Sequence, residues 1–161
     1  MNERKSSVWL TLMKPNILML FGFVFILAVG ILGEIFSWAS LSGGLILRII
    51  GWGIFAFGFI FHAYCHKFHE KAHATSDQIR KITTSGPFSS IRHPMYLSLI
   101  LMYFGMAVGW GIVWMLIPAL LFSMLSIITA IEEEKFLLRK LGSQYEEYMK
   151  KVPWRFIPKI F

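Results

Sequence analysis

Apolar residues fall in long blocks along this chain, and most polar and basic residues lie in the short stretches between them. The first block runs from about Ile17 to Phe36, close to the roughly 20 residues that carry a helix across a bilayer. Arg4, Lys5 and Lys14 precede it, as basic residues precede a secretory signal. The block is longer than the roughly 7–15 apolar residues of such a signal and no small-x-small cleavage site follows, so a mature helix is expected. Ser37 to Gly44 reads as a turn, and Leu45 to about Tyr64 as a second span whose Gly51, Gly53 and Gly58 permit close helix approach, within the chain or in a packed dimer. The third block, Pro94 to Ala130, would measure about 55 Å as one helix, against a hydrocarbon core of roughly 30 Å. A hairpin hinged at Gly109-Trp110-Gly111 resolves this, with Trp110 and Trp114 suited to an interface and Pro118 kinking the returning helix or lying in its first turns. Glu34 is expected to reach the interface at the outer end of the first span. The pattern predicts an all-α polytopic membrane protein of about four transmembrane helices, a single domain over residues 1–161.

Composition fixes the solvent. A chain of 161 residues that is 56% hydrophobic, with a mean hydropathy of +0.60, is too apolar for an ordinary soluble domain. Its net charge of +7 raises nucleic acid as a partner. The basic residues sit beside apolar spans and are not interleaved with aromatics on a soluble face, which argues against nucleic acid and suits anionic phospholipid headgroups. With four spans, the N-terminus, the loop from Cys65 to His93 and the C-terminus share one side and carry 3, 5 and 7 Lys or Arg, leaving only Arg48 opposite. The positive-inside rule then predicts that both termini and this loop are cytoplasmic. The single cysteine, Cys65, excludes an intramolecular disulfide and a cysteine-rich metal cage.

The loop ends in a polar turn, Ser85-Gly86-Pro87-Phe88-Ser89-Ser90-Ile91-Arg92-His93-Pro94-Met95-Tyr96, set directly against the third span. Gly86-Pro87 forces a turn and Pro94 suits the first turn of a helix. Arg92 and His93 therefore stand where a helix leaves the bilayer, either as interfacial anchors or as groups that meet an anion beside the first-turn N–H groups. Downstream come Glu132-Glu133-Glu134, Leu137, Gly142, Tyr145, Tyr148, Arg155 and Pro158. On their own, the three acids read as a solvated helix start after the fourth span.

Taken in order, Gly-Pro-Phe, Arg-His-Pro-Met-Tyr, Glu-Glu-x-x-Leu, Gly-x-x-Tyr-x-x-Tyr and Arg-x-x-Pro resemble the isoprenylcysteine carboxyl methyltransferase and phospholipid methyltransferase superfamily of integral membrane enzymes, over roughly residues 73–161. The resemblance implies that a cytoplasmic loop and the C-terminal segment form the site, that S-adenosylmethionine binds there, and that a lipid or lipid-modified acceptor enters from the bilayer. It implies cofactor contacts from His93, Pro94, Met95 and Tyr96, from Arg80, Lys81, Ile82 and Thr83, from Gly86 and Phe88, and from Glu133 and Glu134. His73 stands where a glutamine contacts the cofactor in the carboxyl-methylating branch. Arg92 and Glu133 are the candidate catalytic residues, and Arg155 and Thr129 face the acceptor. Thr129 stands where the carboxyl-methylating branch has an arginine, Ser98 replaces a common glycine, and Phe88 replaces a frequent tyrosine. A carboxylate acceptor is its own nucleophile, whereas an amine must lose a proton to Glu132, Glu133 or His93.

Two other classes remain. Membrane sterol reductases, which use NADPH, share Arg-His-x-x-Tyr, Tyr-x-x-Tyr and a final proline, but they continue Tyr-Gly-Glu where this chain reads Tyr96-Leu97-Ser98. A noncatalytic metal or lipid binder is suggested by His62, His66, His69 and His73, whose spacing puts four imidazoles on one helix face, although a polar face at the membrane interface explains them as well. No Gly-x-Gly-x-x-Gly or P-loop pattern is present, which excludes a soluble Rossmann-type domain.

Overall fold

A computed structural model describes residues 15–68 and 82–160. Arg4, Lys5, Lys14, His69, His73, Arg80 and Lys81 lie outside the described residues. Among the described residues five helices follow one another: α1 (Pro15–Ile35), α2 (Gly44–His66), α3 (Pro94–Trp110), α4 (Leu116–Leu141) and α5 (Ser143–Lys151). Single 3-10 turns at Gly86–Ser89 and Val113–Met115 precede α3 and α4. Among the described residues the only bridge of β type is an isolated one between Ser40 and Ile112.

Hydrocarbon offers no partner for backbone N–H and C=O groups, so each apolar block closes its hydrogen bonds internally as helix. Among the described residues three helices are long and apolar enough to cross a membrane: Ile17–Ile35, Gly44–His66 and Val113–Leu141. Their outward faces are strongly apolar, with Phe21 and Phe25 exposed on α1, Ile46 and Ile49 on α2, and Leu120 and Met124 on α4. The third expected span is shorter, because Pro94 fixes its start and Gly111 ends it in a left-handed conformation (φ 89°) that favours glycine. At 17 residues α3 is about 25 Å long. It is also the axis of the bundle: α2 packs along one side, α1 and α4 pack on others, and Leu99, Met102, Tyr103 and Ala107 are fully enclosed.

Close backbone approach joins α2 to α3. A Cβ on Gly51 would overlap the backbone at Gly109, and one on Gly105 the backbone at Phe55. Gly58 packs against Leu101 and Met102, whereas a Cβ at Gly53 would meet nothing. Two of the three glycines of the second span are thus used inside the chain. At the far end of the bundle, Trp110 Nε1 donates to Glu34 Oε1 at 3.2 Å, and the α1–α2 turn is tied to the α3–α4 hinge by Leu41 N–H to Gly111 O (2.7 Å) and Val113 N–H to Ala39 O (3.0 Å). Pro118 lies in the first turn of α4, where a missing N–H costs nothing.

The fourth span differs from its expected length. α4 does not stop near Ala130 but continues through all three acids to Leu141. Glu, Lys, Leu and Arg favour helix once the bilayer no longer selects for apolar residues, and Lys135 Nζ donates to Glu132 Oε1 at 2.6 Å on the exposed side. The acids therefore sit within a helix, not at the start of one.

Crowding at the glycine contact predicts opposite effects from one substitution at two sites. Gly51→Ala should cost about 1–3 kcal/mol through overpacking, whereas Gly53→Ala should be neutral or stabilising by up to about 1 kcal/mol. Thermal unfolding of detergent-purified variants checks this, and equal effects at the two positions would contradict the packing described.

Candidate active site

The turn before α3 is built on Gly86, whose φ of 58° is left-handed and whose Cβ position is filled by the Phe68 ring. Ser90 and Ile91 N–H both donate to Pro87 O at 3.1 Å, closing the turn, and the chain then runs on to Arg92 and His93. These two residues do not leave their N–H groups for an anion. Arg92 N–H donates to Trp154 O and His93 N–H to Arg155 O, each at 2.9 Å, so the segment after α5 is laid along the entry to α3.

Side chains complete the junction. Arg92 Nε donates to Glu134 Oε1 at 2.7 Å, and its Nη1 donates to the carbonyls of Val152 and Pro153, each at 2.8 Å. His93 Nε2 lies 3.0 Å from the same Glu134 Oε1, and Arg155 Nε donates to Glu134 Oε2 at 3.0 Å. Glu134 is only 3% exposed. A carboxylate so placed needs close partners, and here an imidazole and two guanidinium groups converge on its two oxygens. Three pieces distant in sequence, 92–93, 134 and 152–155, are joined at one carboxyl group.

Two residues that the sequence reading leaves out of the site hold it together. Tyr148 O–H donates to Phe88 O at 2.8 Å, fixing α5 to the turn. Burial pushes the Tyr145 and Tyr148 phenols above their ordinary range, with Glu134 adding at both and Arg92 opposing, so Tyr148 stays a donor at any working pH. Phe156 stacks at a tilt on His93, with ring centroids 5.8 Å apart. The spacing Tyr-x-x-Tyr marks the segment that carries Tyr148. Nothing in sequence marks the carbonyls of Val152 to Arg155, because every residue has one.

The other candidates divide by environment. Tyr96 is buried, 5.8 Å from His93 between ring centroids, and its phenol is within hydrogen-bonding reach of the half-buried Glu133. Pro94 is enclosed at the start of α3, whereas Met95 turns away from the acids into an apolar cluster with Cys65 and Phe88. Ile82 packs against the cluster of Leu137, Tyr145, Tyr148 and Val152, and Thr83 beside it is half-buried. Thr129 is buried one turn before the acids and donates its hydroxyl to Leu125 O at 2.8 Å. Of the histidine stripe, His62 and His66 are described and meet each other, and no group of three His, Cys, Asp or Glu that could hold a metal occurs among the described residues.

Comparison with known proteins bears on this geometry. A profile described as phospholipid methyltransferase matches residues 44–144, well over half of the chain. The chain belongs to the phospholipid methyltransferase family. Within this family member the match runs from the start of α2 past the acids of α4, and the tail carbonyls that take up Arg92 lie beyond it. The chain is also 31% identical over 84 residues to the Delta(14)-sterol reductase of Mus musculus, a match covering 51% of this chain and 20% of the reductase. It thus spans one fifth of that relative's length.

The charge cluster should matter more to stability than any neutral contact around it. Glu134→Ala strands two cations, and breaking a buried pair from one side costs about 3–5 kcal/mol. Tyr148→Phe removes one neutral hydrogen bond and should cost about 1 kcal/mol. Denaturant unfolding followed by near-UV circular dichroism should rank the variants in that order, and a Glu134→Ala protein as stable as the parent would contradict it.

Proposed function

We propose that the chain is an S-adenosylmethionine-dependent methyltransferase acting on an amphipathic, lipid-borne acceptor at the cytoplasmic face of the membrane. The observation that carries this reading is the contrast between adjacent acids on α4: Glu134 is neutralised inside the charge cluster, while Glu133 lies half-buried beside the Tyr96 phenol. When bound, S-adenosylmethionine supplies a methyl group on a sulfonium, and it brings a carboxylate and an ammonium with it. The donor set suits that mixture of charges. Glu133 with Tyr96 matches an ammonium or ribose hydroxyls, and Arg155, its side chain 32% exposed at the edge of the cluster, matches a carboxylate or an acceptor phosphate. The family resemblance implies that Arg80, Lys81 and His73, which lie outside the described residues, contact the same cofactor.

Methyl transfer asks the protein for alignment, exclusion of water and removal of any acceptor proton. Arg92 serves alignment: with its donors on Glu134 and two tail carbonyls, it is a positioning residue. Glu133 is the group that takes a proton. A carboxylate acceptor would need a cation of its own beside the acids, and Thr129, which stands there one turn before them, supplies a hydroxyl turned to its own helix. An amine acceptor needs a base, which Glu133 provides. An aminophospholipid fits this better than a prenylated thiol-acid, and anionic headgroups around the basic loops complete the surroundings. The distribution of Lys and Arg supports the cytoplasmic side.

One observation favours a second reading. The identity with Delta(14)-sterol reductase keeps reduction by NADPH in view.

Calorimetry of detergent-purified protein separates the two readings. S-adenosylhomocysteine should bind with micromolar affinity and NADPH should not. Glu133→Ala should weaken binding about 10- to 100-fold, the worth of one hydrogen bond to a charged group. Binding of NADPH in place of S-adenosylhomocysteine would transfer the chain to the reductases. Transfer of labelled methyl groups into phosphatidylethanolamine vesicles but not into S-farnesylcysteine should follow from the amine assignment, and the reverse preference would remove it.

A further inference from the structure

The last two turns of α2 carry a second polar group that the proposed reaction does not use. His62 is buried, and its Nδ1 lies 2.7 Å from Ser98 Oγ on α3. Ser98 gives its hydroxyl hydrogen to Met95 O, so Nδ1 must donate in the contact with Oγ and carries the ring hydrogen. The lone pair of a neutral His62 is left on Nε2. Nε2 of His66, one turn further along, faces it at 3.1 Å.

Two imidazole nitrogens that close need an electropositive centre between them, either a hydrogen on His66 or a cation. The contact with Ser98 is the kind of support that metal-bound imidazoles receive: the second ring nitrogen donates to an oxygen, which fixes tautomer and orientation. Metal–nitrogen bonds of about 2.0–2.1 Å in a tetrahedral site would hold the nitrogens about 3.3 Å apart, a few tenths from where they stand. His66 is half-buried, so an ion can reach it from outside the bundle.

We propose that His62 and His66 form a two-imidazole site for a divalent transition metal of the zinc and copper class. Imidazole favours these ions over magnesium or calcium. Cys65 is packed with Phe88 and Met95 and takes no part. Among the described residues no third His, Cys, Asp or Glu gathers with the pair, and two imidazoles give micromolar affinity, weaker than a four-ligand structural site. A bound ion would stiffen the end of α2 and, through Ser98, its junction with α3.

The test uses the full chain, untagged and in detergent, titrated with zinc by calorimetry and with cupric ion by electron paramagnetic resonance. The expected result is one equivalent bound, with hyperfine structure from two nitrogens, lost in His66→Gln and His62→Gln and weakened about 10-fold in Ser98→Ala, where the orienting contact is removed. His66→Gln, at the half-buried position, carries the test if His62→Gln does not fold, with helicity by circular dichroism as the control. No metal bound by the folded parent would overturn the assignment, as would binding that survives His66→Gln or depends on His69 instead.

Discussion

A carboxylate in a nearly dry site cannot stand alone, and Glu134 is 3% exposed. Its two oxygens are met by Arg92 and His93 from the entry to α3 and by Arg155 from the tail. Arg92 is in turn too costly to bury without the carboxylate, and because its guanidinium also bonds the tail, the entry to α3, α4 and the tail depend on one another. The tail is therefore not an appendage. Its carbonyls at Val152 and Pro153 occupy the remaining face of the Arg92 guanidinium, and its backbone pairs with the N–H groups of Arg92 and His93. The end of the bundle that carries the polar motifs is closed by this one set of contacts.

The bundle delivers those groups to a common level because its central helix is short. α3 begins at Pro94, directly after His93, and its burial on several sides fixes where that start lies. Glycine contacts hold α2 against it, while α4 is long enough to run past the end of α3 and bring its acids alongside. Polar groups within the spans close locally. Ser123, Ser126 and Thr129 each donate back to the carbonyl four residues earlier, and Tyr103 donates to Leu18 O. Such pairing is what an apolar surrounding demands, and it leaves the charged chemistry to the helix ends.

Much of this was legible in the sequence, because the membrane makes span length and composition informative. The first two helices and the hinge at Gly109-Trp110-Gly111 follow from run lengths and breakers, whereas for Pro118 the structure decides between a kink and the first turn. The continuation of α4 beyond Ala130 does not, since hydropathy falls at Glu132 whether the helix ends or merely leaves the apolar layer. Motif order located Arg92, His93, Glu133 and Glu134 as a set. Their division of labour was not legible, because it depends on backbone carbonyls of the tail that carry no side-chain signature. Ser98 shows the same limit: read as a departure from a family glycine, it is the residue that orients His62.

The three consecutive acids show how a fold separates roles that a motif cannot. Successive helix residues point about 100° apart, so Glu132, Glu133 and Glu134 enter three environments. Glu132 pairs with Lys135 in solvent, Glu134 is enclosed by cations, and Glu133 is left between them beside Tyr96. A carboxylate held by two guanidinium groups has little basicity left, and one fully in water has no hold on a substrate. On the proposed reading, the middle acid is the one placed to grip an ammonium, half-buried beside the Tyr96 phenol. The cluster around Glu134 then serves the reaction indirectly, by fixing the helix face on which Glu133 stands.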